Sequence, residues 1–187
     1  GPSAARIGFT GPPGAGKSSL LSVVATIWRT RNEQLGVVAV DPTSPYSGGA
    51  LLGDRIRMSD LATDPGIFIR SMATRGSLGG LATTTKEVID LMDAFGFDRV
   101  LVETVGVGQT QIEITAAADT VIVVLVPESG DAIQAMKAGL MEIADIYVVN
   151  KGDLEGADRM VTAIQSMLHT GPEQASWVPP VLVTQAV

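Results

Sequence analysis

Seven short apolar runs, separated by longer stretches, constrain this chain more than any other feature. They are ARIGFT (5–10), GVVAVD (36–41), GIFIRS (66–71), RVLVET (99–104), TVIVVLVP (120–127), DIYVVN (145–150) and PVLVTQ (180–185). Each is rich in Val or Ile and lacks strict polar alternation, as expected of strands buried on both faces. Helix-length segments lie at 17–32, 80–96, 131–144 and 156–170. Strands alternating with helices predict an α/β fold with a mostly parallel sheet and helices on both faces. Ligands of such sheets bind at the carboxyl ends of the strands.

After the first run comes GPPGAGKSS, residues 11–19, which matches G-x-x-x-x-G-K-[ST]. A strand before it and a helix after it make this a P-loop of a nucleoside triphosphatase. Pro13, Gly14, Ala15 and Gly16 are small or compact, so backbone N–H groups can curl around a phosphate. The N-terminus of the following helix adds positive potential. Lys17 is placed to reach the β- and γ-phosphates, Ser18 to ligate Mg²⁺, and Ser19 continues the cradle. The G-x-G-x-x-G spacing of dinucleotide-binding folds is absent here.

The base is addressed by NKGD, residues 150–153, at the end of the sixth run. Asp153 can accept two hydrogen bonds, from the N1–H and N2 amino groups of guanine, and adenine offers no matching pair. Lys151 can pack along the base or the P-loop, and Asn150 can tie neighbouring loops together. GTP and GDP are therefore the expected ligands.

Three acids are candidates for the metal. Asp41 ends the second run, Asp54 lies in LLGDRIRM, and Glu103 ends the fourth run in ETVGVGQ. Mg²⁺ takes oxygen ligands and retains several waters. P-loop enzymes place an acid at a strand end beside the loop for it. Gly106, three residues after Glu103, suits a γ-phosphate sensor because its N–H can approach closely.

Composition excludes several other roles. The net charge is −7, which disfavours nucleic acid or an anionic membrane as the main partner. The longest apolar run, VIVVLV, has six residues where a membrane span needs roughly 20. There is no cysteine, which rules out disulfides and thiolate metal sites and suits the cytoplasm. Residues 1–3 read as a tag remnant and 4–187 as a single GTPase domain. His169 is expected to cap a helix end at the surface, and Trp28 and Met92 to lie in the core. Trp177 is assigned no role.

Taken together, GPPGAGKSS, VDPTSPYSGGALLGDRIRM, IRSMATRGSLGGLA, ETVGVGQTQIE, GDAIQAMKAGLMEIAD and VNKGD resemble the methylmalonyl-CoA mutase-associated GTPase chaperones, once called arginine/ornithine transport ATPases. The resemblance runs from about residue 5 to the end. It implies a G domain of the signal-recognition and nitrogenase-iron-protein class. Its members use GTP hydrolysis to gate cobalamin delivery to an acyl-CoA mutase and to protect that enzyme. It also implies Mg²⁺ contacts near Ser18, Asp41, Asp54 and Glu103, with switches around 42–58, 104–112 and 127–137. Glu128 and Ser129 stand where the family carries glycine-rich residues in the third switch. The base-side motif reads Thr184-Gln185-Ala186 where the family has Ser-Ala, which places Gln185 and Ala186 at the nucleotide. The family's dimerisation arm falls beyond Val187, which implies a homodimeric full-length protein and a monomeric 187-residue chain.

Three other classes compete with this reading. A nickel-delivery GTPase of hydrogenase or urease maturation needs Cys and His ligands, and this chain has no Cys and one His. A transporter-linked ATPase does not need N-K-x-D. A nucleotide-regulated binding module would lack useful turnover. Slow turnover is expected in any case, because Val107, not glutamine, follows Gly106, and valine cannot orient water. A cation brought to the γ-phosphate by a partner would supply the missing stabilisation, and Lys137 and Arg57 are the candidates.

Overall fold

The computed structural model describes residues 3–42, 58–74, 83–104, 114–127, 139–169 and 177–186. Within them the strands are β1 (Ala5–Thr10), β2 (Leu35–Pro42), β3 (Ile67–Thr74), β4 (Arg99–Thr104), β5 (Thr120–Leu125), β6 (Ile146–Val149) and β7 (Val181–Val183). The helices are α1 (Lys17–Arg29), α2 (Ser59–Ala62), α3 (Thr83–Phe95) and α4 (Ala157–His169), with 3-10 turns at Ile114–Ala116 and Leu140–Glu142.

The strands form one sheet in the order β3-β2-β4-β1-β5-β6-β7, and every neighbouring pair runs parallel. The α/β reading therefore holds, with β1 central between β4 and β5. The chain goes one way from β1 to β2 and the other way from β4 to β5. This reversal opens a crevice at the carboxyl ends of the central strands.

Two cores cover the two faces. Leu35, Val37, Leu101, Ile7 and Phe9 point to the side where α1 packs Leu21 and Ala25. Val38, Val40, Val100, Val102 and Val123 point to the side of Ile89 and Met92 on α3 and Ile164 on α4. Consecutive residues of a strand alternate between faces, so an all-apolar strand feeds both cores. Tyr147 is fully buried among the second set and donates to the Leu140 carbonyl at 3.4 Å. Burial pushes its hydroxyl up to about 12.

Four expectations need correction. The helix expected over 131–144 falls largely outside the described residues; where it re-enters them, Leu140–Glu142 is a 3-10 turn entered through Gly139 at φ 92°. The last strand spans only Val181–Val183, at one edge of the sheet, and its side chains are half-buried or exposed. Trp28 is half-buried, not core, and the Arg99 guanidinium lies 4.6 Å from its ring centroid. Trp177 is 59% exposed, yet its Nε1–H donates to the Asp145 carbonyl at 3.0 Å, tying the entry to β7 to the start of β6. Met92 is buried in the α3-side core, and exposed His169 is the last residue of α4, both as expected.

Candidate functional site

The loop from Gly11 to Gly16 joins the buried end of β1 to α1. Gly14 and Gly16 have φ of +76° and +83°, a backbone region costly for residues with a Cβ. Their surroundings differ. A Cβ on Gly14 would meet nothing within 4 Å, so that edge of the loop faces open space. One on Gly16 would lie 2.3 Å from Asn150 Nδ2. Gly16 is also the N-cap of α1, and no side chain caps that end. The first turn of a helix presents backbone N–H groups from which an anion can accept.

Lys17 is buried, and its Nζ donates to the Gly11 carbonyl at 3.0 Å and the Pro12 carbonyl at 2.9 Å. The ammonium is folded back over the loop that it would share with a phosphate. Ser18 Oγ donates to Glu103 Oε1 at 2.6 Å. Glu103 comes from β4, which pairs with both β1 and β2. Gly14, Lys17, Ser18, Glu103, Thr104 and Lys151 help to line one cavity of about 500 Å³ at the carboxyl end of the sheet.

A metal can be tested against this donor set. The Ser18 hydroxyl and Glu103 carboxylate converge beside the phosphate loop, and both are hard oxygen donors of the kind Mg²⁺ selects. They fit that ion. Asp41 lies at the carboxyl end of β2, with its backbone in register with Ala73 of β3. Asp54, Arg57, Gly106, Glu128, Ser129 and Lys137 lie outside the described residues.

Asn150 is a node between the P-loop and the segment after β7. It is fully buried, and its Nδ2 donates to the Ala15 carbonyl at 3.0 Å. Its Oδ1 accepts from Thr184 Oγ1 and from the Ala186 N–H, both at 3.0 Å. One side chain thereby joins the P-loop, the end of β6 and the segment after β7. Lys151 turns the chain at φ 55° and borders the cavity, half-buried. Asp153 and Gln185 are exposed, and Ala186 is half-buried against the α1-side core.

Sequence reasoning missed two polar residues that organise this region. Thr184 was noted only for its place in a motif, yet its hydroxyl holds Asn150. Thr104 was not singled out, yet its hydroxyl donates to Thr10 Oγ1 at 3.0 Å, and both residues are fully buried. Thr10 and Thr104 end apolar runs, immediately before Gly11 and Val105, but a threonine there carries no signal of its own.

A family model described as methylmalonyl-CoA mutase-associated GTPase matches residues 1–187. The chain belongs to that family. A Pyrococcus abyssi protein named as a GTPase is 55% identical over 183 residues, covering 96% of this chain and 56% of the relative. Among solved structures, one titled as a LAO/AO transport system kinase aligns at TM-score 0.77 and 31% identity, covering 99% of this chain and 54% of the other. HypB from Helicobacter pylori, solved with nickel, aligns at TM-score 0.69 over 98% of this chain and 80% of its own. At 19% identity that likeness shows the fold alone. The chain spans about half the length of the curated relatives it matches.

Proposed function

We propose that this domain binds GTP with Mg²⁺ in the cavity beside the P-loop and hydrolyses it slowly when alone. Its work is to gate cobalamin delivery to an acyl-CoA mutase such as methylmalonyl-CoA mutase, and to protect that enzyme. The observation that carries the nucleotide reading is the Asn150 junction, which links the phosphate cradle to the residues expected to read the base. Pro13 to Ser19 cradle the phosphates, and Lys17 exchanges the Gly11 and Pro12 carbonyls for phosphate oxygens. Asp153 accepts from the guanine edge, with Lys151, Gln185 and Ala186 beside it. Ser18 and Glu103 hold the metal, joined by Asp41 and Asp54, directly or through water. Mg²⁺, when bound, neutralises charge on the β- and γ-phosphates. Gly106 approaches the γ-phosphate.

The mutase reading is supported by the family description and by what the chain itself lacks for fast turnover, a glutamine after Gly106. Isolated turnover is expected near the roughly 10⁻⁴ to 10⁻² s⁻¹ scale of unassisted GTPases. The partner then orders a segment that brings Lys137 or Arg57 to the γ-phosphate. The cytoplasm is the expected compartment. No helix among the described residues is long and apolar enough to cross a membrane.

Calorimetry with GTP and ATP, followed by single-turnover hydrolysis with and without methylmalonyl-CoA mutase, tests both halves. ATP bound as tightly as GTP refutes the base assignment. An unchanged rate with the mutase refutes the partner.

A further inference from the structure

On β4, Glu103 and Thr104 point to opposite faces of the sheet, as successive strand residues must. Glu103 faces α1, where Ser18 Oγ donates to it at 2.6 Å. Thr104 faces the other side, where its hydroxyl donates to Thr10 Oγ1 at 3.0 Å. The registered ladder between β1 and β4 ends at the pair Phe9 and Glu103. The two threonines are the next residue on each strand, so their hydroxyls extend the link one residue beyond that ladder. Thr104 is meanwhile in register with Val40 on β2, and Thr10 with Val123 on β5.

Thr10 immediately precedes Gly11, whose carbonyl accepts from Lys17. The end of β4 is therefore tied to the two elements that flank the phosphate loop, through Glu103 to Ser18 in α1 and through Thr104 to Thr10 at the end of β1. Both threonines are wholly inaccessible to water. A buried hydroxyl pair adds little net stability over two valines of the same shape. What valines cannot supply is a directional bond that fixes where the strand end sits.

We propose that Thr104 is a positioning residue for the metal: bonded to Thr10, it holds the end of β4 so that the Glu103 carboxylate stays aimed at Ser18. This rests on the reading of Ser18 and Glu103 as the Mg²⁺ donors. It separates two jobs on adjacent residues, one contacting the ion and the other fixing the backbone that presents it.

The test is the gain in GTP affinity on going from EDTA to Mg²⁺, measured by calorimetry on the 187-residue protein. Thr104→Val is expected to reduce that gain by about fivefold, the loss of one aligned hydrogen bond. Thr104→Ser restores the hydroxyl and is expected to restore the gain. Thr10→Val/Thr104→Val is expected to melt close to the parent while showing the reduced gain, which separates positioning from folding. A parent-like gain in Thr104→Val, or a failure of Thr104→Ser to restore it, overturns the role of Thr104 alone. A parent with equal affinity in EDTA and Mg²⁺ overturns the metal reading itself, and this proposal with it.

Discussion

Asn150, after β6, and Ala15, in the loop after β1, are 135 positions apart, yet the Asn150 side chain donates to the Ala15 carbonyl at 3.0 Å. The same amide accepts from Thr184 and Ala186. A fully buried amide with its oxygen and nitrogen both engaged leaves orphaned partners when removed. Asn150→Ala is expected to cost about 2–4 kcal/mol, three net hydrogen bonds, and to lower the melting midpoint by roughly 5–15 °C. Thermal denaturation without nucleotide checks it. A midpoint within a degree of the parent would show that the junction is not formed in solution.

Gly14 and Gly16, two of the three positive-φ glycines of the phosphate loop, should respond differently to alanine. Gly14→Ala meets only the backbone cost of φ +76°, about 1 kcal/mol, because no atom lies within 4 Å of the new methyl. Gly16→Ala meets a similar cost at φ +83° and also drives a methyl to 2.3 Å from Asn150 Nδ2. That collision also disturbs the Asn150 bonds. The nucleotide-free melting midpoint should fall at least twice as far for Gly16→Ala as for Gly14→Ala. Equal falls would place the strain in the backbone alone.

The fold was legible in the chain because strands buried on both faces leave long Val and Ile runs, and a parallel sheet requires helices between them. Edges were less legible. β7 has three residues, and nothing in PVLVTQ marks where pairing stops. The four-residue α2, Ser59–Ala62, was missed because it has too few residues to show a helical period. At the site, the glycines, Lys17 and Ser18 announce themselves by spacing. Thr10, Thr104 and Thr184 do not, since a threonine at a strand end is ordinary until register sets another hydroxyl or amide opposite it. The partners of Asn150 depend on how β6 and β7 end beside the loop after β1, a relation between distant segments.

Asp153 is exposed, so a change there should act on binding without touching stability. Asp153→Asn is expected to lower GTP affinity by about 3 kcal/mol, roughly a hundredfold, through loss of two charge-assisted bonds. The new amide donor faces a carbonyl in xanthine, so xanthosine triphosphate should gain what GTP loses. Calorimetry with both nucleotides, beside a melting curve that matches the parent, checks the pair of effects. Unaltered GTP affinity would remove Asp153 from the base site.

Acid stability has an identifiable contributor away from the nucleotide site. Asp93 on α3 accepts from the Ala4 N–H, the Ser3 hydroxyl and the Arg6 guanidinium, which together hold its carboxyl down from 3.8 to about 2. Its folded value lies below its unfolded one, so the native state binds the proton less readily. Its contribution is complete above about pH 4 and is lost as pH falls toward about 2. Urea midpoints measured from pH 5 to pH 2 should fall less steeply for Asp93→Asn than for the parent across that window. Parallel curves would assign the acid loss to other carboxylates.

Glu103→Gln separates charge from shape at the candidate metal site. Glutamine keeps an oxygen that can accept from Ser18 Oγ, now bonded at 2.6 Å, so the local fold should survive. What changes is the negative charge beside a cavity proposed to hold a triphosphate. Without metal, the parent carboxylate repels those phosphates, and its removal should leave GTP binding in EDTA equal or tighter. With Mg²⁺, the same carboxylate is an attractive hard donor, and its removal should weaken binding. The two effects have opposite signs, so the variant's affinity gain from Mg²⁺ should shrink from both ends, by about tenfold for a loss near 1.4 kcal/mol. Calorimetric titrations in EDTA and in Mg²⁺ read this directly. A gain equal to the parent's would mean that Glu103 serves only as the hydrogen-bond partner of Ser18, and the metal would have to be held by Ser18 with other acids.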